Sequence, residues 1–538
     1  MEFALMPKVL VTDQINEKAV EILQSACEVS FIPKLSQEEL LEQIHAYDGI
    51  MIRSASTLSP EVMANAPHLQ IIGRAGVGVD NVDLAEANRR GIVVVNSPEG
   101  NTVAAAEHTT GLMFALARHI SQGDASLKAG RWERKALTGV ELFNKTLGLI
   151  GFGKIGSRVA KVAKAVGMKV IVYDPYISKD VPEAMGAKHT TDLNDIWLHA
   201  DFITVHVPKT KDTLNLLNAR TFKQCKEGVR IINCARGGII NEADLAQALR
   251  SGQVAGAGLD VYNEEPLNPS SPLLAEDLKS RVVLTPHLGA STEEAQINVA
   301  LDVAEQLRDF FTTGALSSVV NSPLLRSEVM DPIRPFLPLG EAMGRIARQL
   351  CKGGIKQIEL IAKGTLAEEN IAPLNLAVLK GVFSVNREGV NYINASSIAK
   401  ELGIVVQESK STAKGSLPNL LKLIVTTDSG KTLTLSGTLM ATDVLRIVDI
   451  EGFKTSLKPT AYMLMVPHQD KPGMIAKIGT ILGDANINIS ALQVGKSEKS
   501  DSGDKSIMLF NLDSPVEADV IQALTQVDGC YEATALSL

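Results

Sequence analysis

The stretch Asn144–Pro175, NKTLGLIGFGKIGSRVAKVAKAVGMKVIVYDP, admits few folds. Leu147, Leu149 and Ile150 suit a buried strand, and Gly151, Gly153 and Gly156 follow in G-x-G-x-x-G spacing. Beyond them Val159, Val162, Ala163 and Val166 recur at helical intervals on one face, and a second apolar strand ends at Asp174, 18 positions after Gly156. Strand, glycine turn, helix and strand make the βαβ unit of a parallel sheet. The three glycines act differently. Gly151 permits the tight turn, Gly153 lets backbone approach a pyrophosphate, and Gly156 lets the helix lie close on the strand. The first helical turn, with Lys154 and Ile155, presents free N–H groups to that anion. Asp174 can accept both ribose hydroxyls and would repel a 2′-phosphate, and Pro175-Tyr176 brings no arginine, so NAD is favoured over NADP. A glycine-rich turn that binds nothing would not need an acid at the end of the next strand.

At 538 residues the chain has room for three or four domains. Upstream of the glycine turn, KVLVTD, INEKAVEILQSA, VSFIP, QEELLEQIHA, GIMIRS and LQIIGRAGVGVD alternate strand and helix, a doubly wound layout of its own. Two breaks, SPEGNT and TPHLGASTEE, mark crossings between these lobes. Asn101 or Thr102 is expected to cap a long apolar helix after the first. A helix starting at Ser291–Glu294 and ending near Phe310 is expected to return to the first lobe. Past VNSPLL the texture changes to helices near Leu339–Leu350 and Pro373–Phe383, the strand IKQIELIA, and a hairpin turning at Asp428-Ser429-Gly430. From Thr460 the order strand, helix, strand, strand, helix, strand describes a small ferredoxin-like unit, with the polar loop KSEKSDSGDKS inside it. The expected class is α/β: two doubly wound parallel-sheet lobes, one discontinuous and one of Rossmann type, followed by two α+β domains. The expected boundaries are 1–97 and 288–320 for the discontinuous lobe, 98–287 for the dinucleotide lobe, then 321–455 and 460–538.

The net charge of −8, with no basic block, argues against a nucleic-acid partner, and no apolar run approaches the ~18 residues of a membrane span. Five scattered cysteines without C-x-x-C spacing fit a reducing compartment. The opening MEFALMPKVLVTD has neither a signal-peptide core nor transit-peptide character, so a cytoplasmic location is expected, although a processed organelle protein would read the same.

Three side chains on loops at strand ends carry candidate chemistry. Arg236 follows VRIINCA, and its planar fork suits a carboxylate. His287 follows VVLTP and can take a hydroxyl proton as hydride leaves the same carbon. Glu265, in YNEEPLN, is its candidate partner, fixing the tautomer and raising the imidazole's basicity. Singly, each has a bland reading as loop or salt-bridge chemistry. His206, in ITVHVP, reads as a structural mid-strand residue, and His468 belongs to another domain.

GLIGFGKIGSRVA, NCARGGIINEADL, the EEP turn and TPHLGAST together resemble the D-isomer-specific 2-hydroxyacid dehydrogenases. That resemblance implies that Arg236 holds the substrate carboxylate, that His287 is the acid/base and that Glu265 pairs with it. It extends the cofactor site to Pro208, Cys234, Ala235, Asp260, Gly289 and Ala290, and implies no metal. IMIRSAS, IIGRAGVGVDNVD, NSPEGNTVAAAEHT and GRWERK are similar to the branch that oxidises 3-phospho-D-glycerate at the head of the phosphorylated route to L-serine. A phosphorylated substrate needs further cationic donors; the resemblance points to Arg53, Ser54 and Arg74, to the backbone of Gly76 and Val77, and to Arg131 or Arg134 from a neighbouring subunit of a homo-oligomer. Residues 460–538 resemble an ACT regulatory domain, in which His468, Asp470 and Asn488 match positions that bind an L-serine effector. Asp470 stands where some serine-inhibited relatives carry asparagine. A glyoxylate or hydroxypyruvate reductase, or a non-catalytic NAD-sensing scaffold, is the alternative reading.

Overall fold

Apolar β-branched runs alternating with amphipathic helices favour parallel sheets covered on both faces, and the first lobe folds this way. In the computed structural model, which describes residues 6–412, 417–440, 444–496 and 505–538, strands Lys8–Thr12, Glu28–Ile32, Gly49–Ile52, Ile71–Arg74 and Val93–Asn96 form a five-stranded parallel sheet. Its spatial order is second, first, third, fourth, fifth. The winding therefore reverses between the first and third strands and leaves a crevice at their carboxyl ends. Asp13 and Arg53 follow those two ends. Two short helices, Pro60–Ala64 and Leu84–Arg90, join the expected elements.

The second lobe is a seven-stranded parallel sheet. Thr146–Ile150 is flanked by Lys169–Tyr173 and Lys188–Thr190 on one side, and by Phe202–Val205, Val229–Asn233, Val254–Leu259 and Val282–Leu284 on the other. Its switch point lies between Thr146–Ile150 and Phe202–Val205, so the carboxyl ends of these strands form the second wall of a cleft. The helix after the glycine turn, Lys154–Ala165, buries Gly156, Val159, Ala160 and Ala163. Val162 does not share that face and is 37% exposed, because at about 100° per residue it lies roughly 110° from the centre of the buried stripe.

Both crossings are built by helices. Thr102–Arg118 starts after Asn101, but the Asn101 side chain makes no capping bond: its backbone (φ −110°, ψ 10°) departs from the extended conformation that aims a cap at N2 or N3. At the second crossing Thr292 is extended, and its hydroxyl accepts from Ala295 N at 3.1 Å. The helix it caps, Glu293–Thr313, continues past Phe310 to Gly314, whose φ of 72° ends it. It lies on the first lobe over Gly73, where a Cβ would stand 2.4 Å from Leu307 and 2.5 Å from Val303. Burying Val299, Val303 and Leu307 contributes on the order of 5–9 kcal/mol before entropy, which ties the returning helix to the first lobe.

Next comes a six-stranded mixed sheet between Ile355 and Leu457, with helices Leu337–Leu350 and Ala372–Ser384 packed backbone to backbone through Gly344 and Gly381. The last unit is an antiparallel four-stranded sheet with helices Met474–Asp484 and Ala518–Thr525 on one face. Its other face shares an apolar core with the preceding domain through Met463, Ile507, Leu509 and Leu536. Most of the expected loop KSEKSDSGDKS lies outside the described residues. Among those described, no helix is long and apolar enough to cross a membrane.

Candidate active site

The glycine turn places three different demands on the backbone. Gly151 has φ 93°, and a Cβ there would lie 2.4 Å from the His206 carbonyl oxygen. At Gly156 a Cβ would lie 2.2 Å from the Gly151 carbonyl oxygen. Gly153 differs, since nothing stands within 4 Å of where its Cβ would be. Open space therefore lies beside the first turn of Lys154–Ala165, where helix N–H groups lack intrahelical partners. Asp174 reaches the same place: its carboxylate accepts from Phe152 N at 2.8 Å and Tyr176 N at 2.9 Å. Lys154 pairs with Glu99 across the first crossing. An open cradle at a helix N-terminus with an acid at its far side fits a dinucleotide.

The cleft between the lobes encloses roughly 390 Å³. Ile155, Pro208, Cys234, Ala235, Gly289 and Ala290 line it, together with Arg236, Asp260 and His287, and Val77 faces them from the first lobe. Arg236 sits on a loop shaped by the buried Asn233, whose amide accepts from Ala235 N and donates to Arg236 O, both at 2.9 Å. The Arg236 guanidinium donates to Ala235 O at 2.7 Å and lies 3.8 Å from Asp80. Close by, Arg74 folds back over Gly76, where a Cβ would collide with its guanidinium. Burial, then the charges of Arg236 and Arg53, push Arg74 below the usual arginine basicity. Its buried Nε has no partner among the described residues. Arg74 and Arg236 thus stand side by side at the edge of the cleft, with Arg53 near enough to act on Arg74 through its charge and with Asp80 and Asp13 opposing them, an arrangement that suits a ligand carrying more than one anionic group.

On the opposite wall His287 Nδ1 lies 2.6 Å from Glu265 Oε2. A carboxylate only accepts, so Nδ1 carries the proton and donates, leaving the Nε2 lone pair for a substrate hydroxyl. Glu265 is fixed in turn by Tyr262 N at 3.0 Å on its other oxygen. His287 is held at φ 55°, a backbone cost of about 1 kcal/mol for a non-glycine residue. Asp260 holds that loop in place. Its buried carboxylate accepts from Thr285 Oγ1 at 2.6 Å, Leu288 N at 2.7 Å, Gly289 N at 2.8 Å and His108 Nε2 at 3.1 Å, and its carbonyl accepts from His287 N at 2.9 Å. Burial alone would raise the Asp260 pKa, but the bonds from His108, Thr285 and Leu288 together hold it below the usual carboxylate value. Both oxygens serve the loop, so this cofactor candidate acts as its scaffold.

His206 departs from the sequence expectation. The strand stops at Val205, and His206 stands just past its carboxyl end on the cleft, with Nε2 3.0 Å from Thr204 Oγ1. Burial lowers its pKa to about 4, so it is neutral near pH 7. Burial also lifts the Cys234 thiol to about 12, which leaves it protonated and unreactive.

Not all candidates are gathered here. Arg53 lines a separate cavity of roughly 280 Å³ with Glu293 and Gln296, and Ser54 is exposed. The loop carrying both is pinned by Asp13, which accepts from Arg53 N, Ser56 N and Ser56 Oγ, and by Asn81, which donates to the Arg53 and Ser56 carbonyls. Arg131 and Arg134 are exposed, Arg131 beside Glu133 at 3.3 Å. In the last domain His468 is only 2% exposed and so is not presented to solvent: its side chain points into the unit and its Nδ1 bonds the Gln469 carbonyl. Asp470 pairs with Lys496, and Asn488 donates to Asp513. Asn488 precedes the strand end paired near Leu512 and His468 is paired with Ser506, so the two lie at opposite ends of the sheet. Sequence reasoning alone misses Asp80, Asn101 and Lys209, which line the cleft, and His108. At Asn101 the available signal is its polar amide, which local pattern reads only as a cap; its Oδ1 is buried without a partner among the described residues.

Residues 110–289 match the model for the D-isomer specific 2-hydroxyacid dehydrogenase NAD binding domain. Residues 332–451 match that for the D-3-phosphoglycerate dehydrogenase intervening domain, and 462–529 the ACT domain. A D-3-phosphoglycerate dehydrogenase of Synechocystis is 46% identical over 99% of this chain and 95% of its own. The chain belongs to the D-3-phosphoglycerate dehydrogenase family. A further D-3-phosphoglycerate dehydrogenase, from Archaeoglobus fulgidus, is 40% identical over 99% of this chain and 100% of its own. The crystal structure of a glyoxylate reductase from Paecilomyes thermophila superposes with a TM-score of 0.54 at 28% identity, covering 59% of this chain and 99% of that one. Membership makes this chain an NAD-dependent oxidoreductase, with NAD as its cofactor.

Proposed function

We propose that this chain oxidises 3-phospho-D-glycerate to 3-phosphohydroxypyruvate, the first step of the phosphorylated route to L-serine. The observation that carries the substrate is Arg74 beside Arg236 at the edge of the cleft, its buried Nε unpartnered among the described residues, with the Arg53 loop on the adjoining cavity. One carboxylate would leave much of that charge uncompensated; a carboxylate and a phosphate together answer it. Arg236 orients the carboxylate, while Arg74 and the Arg53 loop take the phosphate. NAD held at the Gly151–Gly156 turn supplies the acceptor for the C2 hydride. His287 Nε2 accepts the hydroxyl proton as the carbonyl forms, and Glu265 stabilises the imidazolium that results. Approach of the lobes about the two crossings excludes water.

The exposed segment Gly130–Lys135, with Trp132 83% exposed between Arg131 and Glu133, reads as a contact with a second copy in a homo-oligomer. An L-serine site that joins His468 to Asn488 would need two copies, because one chain places them at opposite ends of the sheet, and would also need the buried His468 ring uncovered.

Arg74→Met tests the substrate assignment, since it keeps the apolar stem and removes the charge. KM for 3-phospho-D-glycerate should rise at least tenfold, with the smaller activity on D-glycerate little changed. Equal losses on both substrates would contradict the assignment.

A further inference from the structure

A cavity of about 670 Å³ lies between the first lobe and the intervening domain, away from the catalytic cleft. Its volume and its position at a domain interface are those of small-molecule sites. The floor is apolar: Leu69 and Val93 from the lobe, Leu316 and Leu325 from the connector, and Leu337 from the intervening domain, all buried. Among the described residues, the side chains of fixed charge that line it are two arginines, Arg90 from the lobe and Arg334 from the intervening domain. Both are half engaged. Arg90 Nε donates to Glu86 Oε1 at 2.6 Å, but Glu86 is shared with Arg89. Arg334 gives both its Nε and Nη2 to one oxygen of Asp331. Neither Nη atom of Arg90, nor Nη1 of Arg334, has a hydrogen-bond partner among the described residues.

A compact polyanion would leave the apolar floor uncovered, and a neutral apolar molecule would leave the guanidinium donors unused. A carboxylate on an apolar body satisfies both. The cavity also touches structure that leads to the catalytic cleft. Gly91, on its wall, accepts from Asn391 of the intervening domain at 2.8 Å. Val93 begins the strand ending at Asn96, whose amide donates to the carbonyl of cleft residue Val77 at 2.6 Å.

We propose that this cavity is an effector site for a monocarboxylate with an apolar body, which braces the intervening domain against the strand entering the first crossing. Only the kinetic part of its test rests on the dehydrogenase reading. The probe is 4-phenylbutyrate, with 4-phenylbutanamide as its neutral twin, titrated by calorimetry into the full chain. The carboxylate binds at least tenfold more tightly than the amide, and Arg90→Gln combined with Arg334→Gln abolishes that preference. Both arginines lie outside the catalytic machinery, so unchanged basal turnover reports that the double variant is folded. In the parent, saturating 4-phenylbutyrate changes KM for the hydroxy acid at least twofold, and in the double variant it does not. No binding at millimolar concentration, equal binding of the amide, or undiminished binding to the double variant overturns the site. Binding that leaves KM unchanged overturns the effector role. If the chain oxidised no 2-hydroxy acid, the functional reading would fail while calorimetry still decided the site.

Discussion

Replacing Asp260 by alanine removes the acceptor for four donors at once. The Thr285 hydroxyl can turn elsewhere and His108 is partly exposed, but Gly289 N is buried and Leu288 N depends on the same carboxylate. At about 1–3 kcal/mol for each buried donor left unpaired, two backbone groups alone cost about 2–6 kcal/mol in the closed loop. Water entering the opened loop recovers part of this, leaving about 3 kcal/mol in favour of opening. That is roughly a hundredfold shift away from the state in which His287 faces the cleft with its strained backbone. Asp260→Ala should therefore lower kcat about a hundredfold, with NAD affinity changed less than tenfold because the glycine turn is untouched. Amide hydrogen exchange over 285–290 should speed up in parallel. Steady-state kinetics, NADH fluorescence titration and exchange mass spectrometry measure the three. A kcat within threefold of the parent, with unchanged exchange, would show that Asp260 does not hold the His287 loop in place.

The two inner glycines of the turn separate folding from cofactor binding. Gly153→Ala, with φ −71° and open space at the Cβ, should match the parent in thermal unfolding yet lose at least tenfold in NAD affinity; retained affinity would show that the space is not the pyrophosphate site. Gly156→Ala should instead destabilise the fold, since its Cβ would lie 2.2 Å from a carbonyl oxygen, and an unaltered melting temperature would contradict the close helix-strand contact. His206 supplies a pH signature. Its folded pKa of about 4 lies below the ~6.5 of an unfolded histidine, so between those values the unfolded chain takes up a proton that the folded chain refuses. Its contribution is fully present above pH ~6.5 and is lost as pH falls towards 4. Urea midpoints of the parent and of His206→Gln should diverge across that window, and parallel pH dependences would show that His206 does not titrate as described.

The lobes are legible in the sequence because strand, glycine turn and helix each leave local marks: β-branched runs, obligatory glycines and 3.6-residue periodicity. Arg236, Glu265 and His287 stand out because they follow strand ends, where such sheets bind ligands, but each alone also reads as loop or salt-bridge chemistry, and their roles come from the family resemblance. Less legible are residues whose role depends on contacts distant in sequence. Asp260 lies 25 positions from Thr285 and 152 from His108, and nothing local announces that its carboxylate gathers both. His206 reads as a core residue because a one-residue difference in where the strand ends turns a core position into a cleft position. The regulatory candidates come from the resemblance of the last domain alone, and sheet register sends Asn488 and His468 to opposite ends.

The proposed reaction requires a cleft that holds a doubly anionic 2-hydroxy acid. NADH formation from 3-phospho-D-glycerate, measured beside D-glycerate under identical conditions, tests it most directly. Hydrogen bonds to charged groups are worth about 1.5–3 kcal/mol, so two additional cationic contacts predict a kcat/KM advantage of about 10²–10⁴ for the phosphorylated acid. Comparable kcat/KM for the two acids would show that the cleft does not use the phosphate.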